Sequence, residues 1–379
     1  MIKPFVTHYS LIDRDTLARD WQALEGRADC PVFLSWQWIG VWLKVYQPAV
    51  TVIKVTVGDT IVGLGLLVEK RDRRHGVLTS RCLRLHQTGD PEEDQIWIEY
   101  NGFLVDRAHV DAVDSAVVRY MQMGLNDWDE WQVGAIDAER AAAFLAAGQL
   151  KPLVRWEAPC YAVNLAALRR TATPYLNTLS TNTRAQIVRA QRIYEQRGAV
   201  RVIRPSSLDE ALQWFSEIGP QHMARWGAGP SQSGFANPHF VRFHEAFIRA
   251  HWAQGGVDLV AVAVGDTRIA TFYNFIYRNR VYFYLGGLQV EQDNKLKPGL
   301  LGHSLCLQAY LSDGRDLYDF MGGDERYKRQ LGQWHARLIQ VVMQRDRLKF
   351  RWEQAAREVK HRWLGRRTNP ADREVDAND

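Results

Sequence analysis

The sequence is poor in the features that mark secreted, zinc-binding or membrane-spanning proteins. It holds only four cysteines in 379 residues, and no two of them have CxxC spacing. That scatter argues against a disulfide framework and against a cysteine zinc site. No apolar run reaches the roughly 20 residues of a membrane span, and the N-terminal segment lacks an apolar stretch of signal-peptide length. We therefore expect a soluble, cytoplasmic protein whose thiols are reduced.

Two common catalytic patterns are also missing from the sequence. No group of His, Asp and Glu residues has metal-ligand spacing, and no Ser or Cys lies in a GxSxG-type turn. Metal-dependent and covalent mechanisms are therefore disfavoured, and we expect no bound metal. The net charge of +5 favours anionic ligands without requiring nucleic acid, and 46% hydrophobic residues indicate an ordinary globular core.

One phrase is present twice. VTVGDTIVGLGLL at 55–67 and VAVGDTRIATFYNF at 262–275 each combine an alternating strand, a Gly-Asp turn and a second strand. This pattern predicts two β-hairpins, and their wide spacing indicates an internal duplication. We expect domains at 1–165 and 166–345, followed by a basic helix and frayed tail at 346–379.

The elements around the hairpins also repeat. In each half a helix precedes the hairpin, and strand, helix and strand segments follow it. In the first half we predict a strand over WIEYNGFLV at 97–105. In the second half we predict a strand at 281–290, a helix from Pro298 and a strand at 315–323.

This order resembles the layout of the GNAT acyltransferases. The second half is similar to the group named after a protein of bacterial cellulose biosynthesis (CelD-type), which in turn resembles the Fem-type aminoacyltransferases. The similar phrases are LSTNTRAQIVRAQR, MARW with SGFANPHFVRFH, the second hairpin, KLKPGLLGHSL and YDFMGGDERYKRQLG, which cover most of 175–332. The resemblance implies an α/β (α+β) fold with two tandem GNAT-like domains. Each would be a mixed, mostly antiparallel sheet flanked by helices, and the first would be degenerate.

A candidate donor site lies in the segment KLKPGLLG. Pro298 starts a helix whose free N–H groups and dipole attract a pyrophosphate, Gly299 allows close backbone approach, and Lys295 and Lys297 add positive charge. The resemblance adds the preceding strand, where Gly286 and Gly287 would form a bulge that frees a backbone N–H to polarise a thioester. The predicted donor-binding residues are Leu288, Val290, Lys295, Lys297, Pro298, Gly299, Leu300 and Leu301. An ordinary helix start is the alternative interpretation.

The donor loop departs from the common GNAT pattern. That pattern has an Arg or Gln followed by two glycines, whereas Leu296, Gly299 and Leu301 occupy the same spacing here. Acyl-CoA, with acetyl-CoA first, is the expected donor. Aminoacyl-tRNA and an acyl carrier protein stay open.

The segment YDFMGGDERYKRQLG contains the densest group of reactive side chains. Direct acyl transfer needs a base for the acceptor and an acid for the departing thiolate. Asp324 is our first candidate base, Asp319 the second and Tyr327 the candidate acid, although such residues also brace turns. Lys328 and Arg329 are predicted to bind the acceptor, as are Arg225 and Trp226.

Three functions remain open from the sequence. The first is acyl transfer from acyl-CoA to an amine or hydroxyl of a cell-envelope sugar or polysaccharide precursor, with a small molecule or glycan as the acceptor. The second is Fem-like transfer from aminoacyl-tRNA, for which a basic track would include Arg184, Arg189 and Arg192. The third is a non-catalytic module that binds a sugar or an anionic lipid. The C-terminal basic helix could contact an anionic membrane surface or dock on the protein.

Overall fold

The first half of the chain folds as a strand, two helices, a hairpin and a further run of strands and helices. The computed structural model describes residues 3–74, 78–146, 150–229 and 232–353. The elements of the first half are β1 (Phe5–Ser10), α1 (Arg14–Glu25), α2 (Trp36–Tyr46), β2 (Val50–Val57), β3 (Thr60–Arg74), β4 (Leu78–Leu85), β5 (Leu104–Val105), α3 (Val110–Met123), β6 (Glu130–Asp137), α4 (Ala138–Ala146) and β7 (Lys151–Asn164).

The second half adds two helices and then repeats the same order. Its elements are α5 (Leu165–Arg170), α6 (Thr181–Glu195), β8 (Val200–Ile203), α7 (Leu208–Trp226), α8 (Pro238–His251), β9 (Val257–Val264), β10 (Thr267–Tyr277), β11 (Arg280–Leu288), α9 (Pro298–Ser312), β12 (Leu317–Gly322), α10 (Arg326–Leu331) and β13 (Gln333–Gln344). Ser180 and Ser207 cap α6 and α7 by accepting backbone N–H groups. Pro298 begins α9, as the sequence predicts.

The strands form one continuous mixed sheet, in which equivalent strands of the two halves occupy equivalent positions counted from the two edges. Its order is β1-β2-β3-β4-β6-β13-β7-β12-β11-β10-β9-β8, with β5 paired to β3. Only the β4–β6 and β11–β12 pairs of this path are parallel within the described residues. The fold is therefore a tandem pair of GNAT-like units, each a mostly antiparallel sheet with flanking helices.

The duplicated hairpins occupy equivalent places. The β2–β3 hairpin is second and third from one edge of the sheet, and β9–β10 is second and third from the other. Gly58 and Gly265 both have a φ of 58° in their turns, a value that glycine adopts without a steric cost. The prediction of two related halves is confirmed by this topology.

The two halves exchange their last strands. β7 ends the first half but pairs with β12 of the second, and β13 ends the second half but pairs with β6 of the first. β7 and β13 also pair with each other at the centre of the sheet. The halves are thus joined by a backbone ladder, and the predicted boundaries at 165/166 and 345/346 stay predictions.

One hydrophobic core is shared by both halves. Trp38 of α2 packs against Phe243 and Phe247 of α8 and against Phe275 of β10, with ring centroids 4.7–5.6 Å apart. Two further cores lie under α9 in the second half and under α3 and α4 in the first. Aromatic burial of this size fixes the orientation of the two halves.

Two predicted elements fall in the segments 97–105 and 346–379. The predicted strand at 97–105 is wrong for most of its length, because only Leu104–Val105 forms a strand and 97–103 is a loop. Residues 348–353 are helical, and the remainder of the predicted basic helix lies outside the described residues. No helix within the described ranges is long and apolar enough to cross a bilayer.

Candidate active site

The parallel strands β11 and β12 separate soon after they meet. They pair at only three positions, which end at Tyr282 and Asp319, although β11 continues to Leu288. Alternate N–H and C=O groups along this edge of β11 therefore face an opening instead of a partner strand. The resemblance predicts a freed backbone N–H on this strand, and the opening leaves such groups of β11 without a partner strand.

A cavity of about 630 Å³ lies between this opening and the start of α9. We call it the donor cavity. Of the predicted donor-binding residues, six line it: Leu288, Val290, Lys297, Pro298, Gly299 and Leu300. Lys295 is exposed outside the lining, and Leu301 is buried in the core beneath it. A side chain at Gly299 would put its Cβ 3.1 Å from Leu288 Cδ1, so the glycine keeps this wall of the cavity open.

The glycine pair of β11 has a different role from the one predicted. Gly286 and Gly287 stay paired with β10, and the bulge of this strand lies at Tyr284. A Cβ at Gly286 would lie 2.7 Å from Phe272 Cδ1. These glycines therefore permit close packing across the strand, while the opening begins earlier, beyond Tyr282.

The equivalent opening in the first half is closed by protein. β4 and β6 also pair at only three positions. Asn101 bridges them, because its backbone N–H donates to Ala135 O of β6 at 3.0 Å and its Nδ2 donates to Leu85 O of β4 at 2.9 Å. His86 Nδ1 lies 2.9 Å from Asn101 Oδ1 and fixes the side chain. This bridge supports the prediction that the first half is degenerate.

A second cavity, of about 480 Å³, lies at the junction of the two halves. We call it the junction cavity. Five residues line both cavities, so the two adjoin: Arg225, Phe283, Gly286, Glu325 and Tyr327. The predicted acceptor residues Arg225, Trp226 and Lys328 line the junction cavity, which is where an acceptor would meet a donor.

Glu99 is the carboxylate that the sequence analysis missed. It lies on the loop after Trp97 and lines the junction cavity, where Gly322 N donates to its Oε2 at 2.7 Å. Oε1 has no hydrogen-bond partner among the described residues. Burial raises the pKa of Glu99 to about 7, against the lowering effects of Lys328 and the Gly322 N–H. A carboxylate with this pKa can accept a proton near neutral pH.

Asp319 lies next to the site and does not line either cavity. Its side chain is buried, where it accepts a hydrogen bond from the Tyr100 hydroxyl at 2.7 Å and from Met321 N at 2.7 Å. Burial raises the pKa of this carboxyl. Met321 has a left-handed φ of 61°, and this local turn directs the Gly322 N–H toward Glu99. Asp319 is therefore better described as a positioning residue than as the base.

Asp324, our first candidate from the sequence, lies at the surface. Its side chain is 61% exposed, forms an ion pair with Arg329 at 2.5 Å and accepts a hydrogen bond from Tyr161 at 3.2 Å. The bond from Arg329 holds the pKa of Asp324 below its usual value. Neither residue is among the described residues that line the donor or junction cavity. These contacts do not support Asp324 as base or Arg329 as an acceptor contact, and the candidate base moves to Glu99.

Tyr327 lies in the wall between the two cavities. Its ring stacks on His303 at 5.3 Å, and Arg225 lies 5.9 Å from its centroid. Burial raises the pKa of Tyr327 above its usual value, so the phenol keeps its proton at neutral pH. Burial lowers the pKa of His303 to about 3, and the ring is neutral. Tyr327 therefore remains the candidate acid.

Lys328 is buried and is already bonded within the protein. Its Nζ donates to Gly322 O at 2.5 Å and lies 3.2 Å from Glu325 Oε2. It thus braces the same turn that presents the Gly322 N–H to Glu99.

The loop that bears Glu99 is clamped by the second half. The Tyr284 hydroxyl donates to Ile96 O at 2.6 Å and lies 3.1 Å from His244 Nε2. Asn237 Nδ2 donates to Glu92 O at 2.7 Å. One loop of the first half therefore closes its own cleft through Asn101 and delivers Glu99 to the cleft of the other half. No described group of three or more His, Cys, Asp and Glu side chains is arranged to hold a metal ion.

Comparison with known families agrees with this geometry. The family described as "Acetyltransferase (GNAT) domain" matches residues 181–329. Residues 181–329 are thus similar to an acetyltransferase domain, which supports an acyltransferase. The match includes α9, the separated strands β11 and β12 and Tyr327. No curated protein matches the chain.

Solved structures share the fold over nearly the whole chain. FemX is similar with a TM-score of 0.56 and 11% identity, over 88% of this chain and 96% of that one. The C-terminal domain of a putative lysylphosphatidylglycerol synthetase from Agrobacterium fabrum has a TM-score of 0.51 and 8% identity, over 88% and 93%. L-PGS from Bacillus licheniformis has a TM-score of 0.50 and 10% identity, over 91% and 96%. At these identities the likeness concerns the fold alone.

Proposed function

We propose that this acyltransferase moves an acyl group, with acetyl as the first candidate, from acyl-CoA to an amine or hydroxyl of a cell-envelope sugar or polysaccharide precursor. One observation carries the proposal: two adjoining cavities share a wall that contains Tyr327, and Glu99 lines one of them. Direct transfer requires a donor and an acceptor that meet at such a wall.

The donor cavity suits the phosphate and thioester parts of acyl-CoA. The N-terminus of α9 offers unpaired N–H groups, and Lys297 at its N-cap position adds a positive charge. The unpaired edge of β11 beyond Tyr282 can receive an extended chain and polarise a carbonyl. Leu288 and Leu300 supply apolar walls.

Glu99 and Tyr327 supply the proton transfers. The acceptor nitrogen or oxygen would form its bond to the acyl carbon while Glu99 Oε1 takes its proton. The carbon–sulfur bond would break at the same centre, and the Tyr327 hydroxyl would donate its proton to the departing thiolate. Burial keeps the Tyr327 phenol protonated at neutral pH. A Glu99 carboxyl with a pKa of about 7 is ionised in about half of the molecules at that pH and in more of them above it.

A second candidate is a Fem-like transfer from aminoacyl-tRNA. One observation favours it: Arg184, Arg189 and Arg192 on α6 form no side-chain hydrogen bond or ion pair among the described residues, and Gln186 of the same helix lines the donor cavity. Unpaired arginines beside the donor cavity could contact a phosphate backbone.

One set of binding measurements distinguishes acyl-CoA from aminoacyl-tRNA as the donor. Thermal-shift assays should be run with acetyl-CoA, longer acyl-CoAs and an aminoacyl-tRNA, followed by assays of CoA release with amino sugars. A raised melting temperature with an acyl-CoA, together with CoA release that depends on the sugar, supports the proposal. Stabilisation by aminoacyl-tRNA alone would transfer the assignment to the second candidate.

A further inference from the structure

Three tryptophans in the junction cavity are half-exposed. Trp97 is 41% exposed, Trp156 is 43% exposed and Trp226 is 42% exposed. By contrast, Trp38 and Trp42 are fully buried in the shared core. Large apolar rings that remain accessible inside a concave site are unusual, because burying them would stabilise the fold.

Each indole is held on a fixed part of the backbone. Trp97 adopts a left-handed φ of 42°, and its ring packs against Phe240 at 5.6 Å. Trp226 is the last residue of α7, and the guanidinium of Arg225 lies 5.0 Å from its ring centroid. Trp156 lies on β7 directly opposite Gln340 of β13. The three rings thus come from three separate elements that converge on one cavity.

Polar side chains lie among these rings. Gln87 and Gln340 line the cavity together with Glu99. The Oε1 atom of Gln87 is buried and has no hydrogen-bond partner among the described residues. A buried amide oxygen without a partner is costly unless a ligand or a water supplies a donor. An amide presents both donors and acceptors, as a sugar hydroxyl does.

The charges in the cavity argue against an anionic ligand. Three carboxylates line it, Asp94, Glu99 and Glu325, against the two cations Arg225 and Lys328. Lys328 is already bonded to Gly322 O and paired with Glu325. A phosphate or a nucleotide would therefore meet little uncompensated positive charge, whereas a neutral or cationic ring would not be repelled.

We propose that the junction cavity is a carbohydrate subsite in which a neutral or amino sugar ring lies against Trp97, Trp156 and Trp226. The axial C–H groups of a pyranose pack on indole faces, and its hydroxyls bond to amides such as Gln87. A free hydroxyl or amine of the ring then points at Glu99. This inference rests on the proposed function and names the ring chemistry that its acceptor must present.

The test measures sugar binding apart from acyl transfer. Isothermal titration calorimetry should be run with glucosamine, N-acetylglucosamine and their β-1,4-linked dimers, with phosphatidylglycerol vesicles as the non-sugar probe. We expect at least one sugar to bind, and Trp97→Ala and Trp226→Ala to weaken that binding by about tenfold or more. Trp334→Ala is the matched control, because Trp334 is 64% exposed on β13 and does not line either cavity.

Each outcome decides for or against the subsite. Thermal melts and acetyl-CoA binding of the variants establish that they fold, and Trp97→Phe replaces Trp97→Ala if the latter does not. If a donor binds and no sugar does, the subsite is overturned and the proposed function needs another acceptor. Affinity for vesicles alone has the same consequence. Sugar binding that Trp97 and Trp226 variants leave unchanged also overturns it. Sugar binding without any acyl-CoA binding would leave the subsite standing and reject the proposed donor.

Discussion

The backbone N–H of Gly322 donates a 2.7 Å hydrogen bond to Oε2 of Glu99, which lies 223 residues earlier in the chain. The bond joins the loop of the first half to the end of β12 in the second. It leaves the other carboxylate oxygen free of protein partners within the described residues. The first half thus contributes the candidate base to the site of the second half.

Lys297 should contribute to donor binding more than Lys295 does. Lys297 lines the donor cavity at the start of α9, whereas Lys295 is exposed outside it. We expect Lys297→Ala to weaken acetyl-CoA binding by about three- to tenfold, since one cation near a phosphate is lost. Lys295→Ala is the matched control. Equal losses in calorimetry for both variants would mean that the loop acts only through its net charge.

Tyr284 should act as a positioning residue for Glu99. Tyr284→Phe leaves Ile96 O and His244 Nε2 without the hydroxyl, which should lower the free energy of unfolding by about 1–3 kcal/mol. The loop with Glu99 would then be less well fixed, so kcat should fall while the affinity for acyl-CoA stays the same. Urea unfolding and steady-state kinetics measure the two effects. A change in donor affinity alone would speak against this role.

Neither half should fold by itself. A fragment of residues 166–379 lacks β6 and β7, so β12 keeps only its three-residue pairing with β11 and β13 loses both neighbours. We expect each fragment, 1–165 and 166–379, to show no cooperative thermal transition in circular dichroism, and co-expression to restore one. Cooperative unfolding of an isolated fragment would show that the strand exchange is not required for folding.

Buried neutral histidines should make the protein sensitive to acid. Burial lowers the pKa of His86 to about 4 and that of His303 to about 3. On acidification the histidines of the unfolded chain take up protons near pH 6.5, before those of the folded protein do. The stability that comes from the neutral buried histidines is therefore present above that pH and is lost as the pH falls through 4 and 3. Urea midpoints should fall over this range. The urea midpoint of His303→Phe should fall less steeply with decreasing pH than that of the wild type. An unchanged slope would exclude His303 as a source of the acid sensitivity.

The sequence is sufficient for the features that depend on local residue chemistry. Gly58 and Gly265 mark the hairpins because few other residues tolerate their turns, and Pro298 with Gly299 marks the donor loop. These signals are short-range, so one sequence can reveal them. The duplication in turn predicts that the two hairpins occupy equivalent positions in the sheet.

The candidate base could not be found in the same way. Glu99 lies within WIEYNGFLV, whose apolar alternation predicts a strand, yet Trp97 and Tyr100 adopt left-handed φ values of 42° and 49° and turn the segment into a loop. That conformation is imposed by bonds to distant residues such as Tyr284 and Asn237. The exchange of β7 and β13 is likewise a long-range pairing. The acidic segment DPEED at 90–94, shortly before Trp97, is the sequence signal that indicates a loop in this region.

The central claim is that Glu99 accepts the proton during acyl transfer, and its pH–rate profile tests this most directly. Burial raises the pKa of Glu99 to about 7, so wild-type kcat/KM should rise with pH up to about 7 and then level off. Glu99→Gln keeps the bond from Gly322 but cannot accept a proton. We expect it to lower kcat by about a hundredfold or more at saturating donor, with donor binding retained and the dependence near pH 7 lost. Asp324→Asn, at the surface, should be nearly silent. A normal rate for Glu99→Gln, or a hundredfold loss for Asp324→Asn instead, would contradict the account.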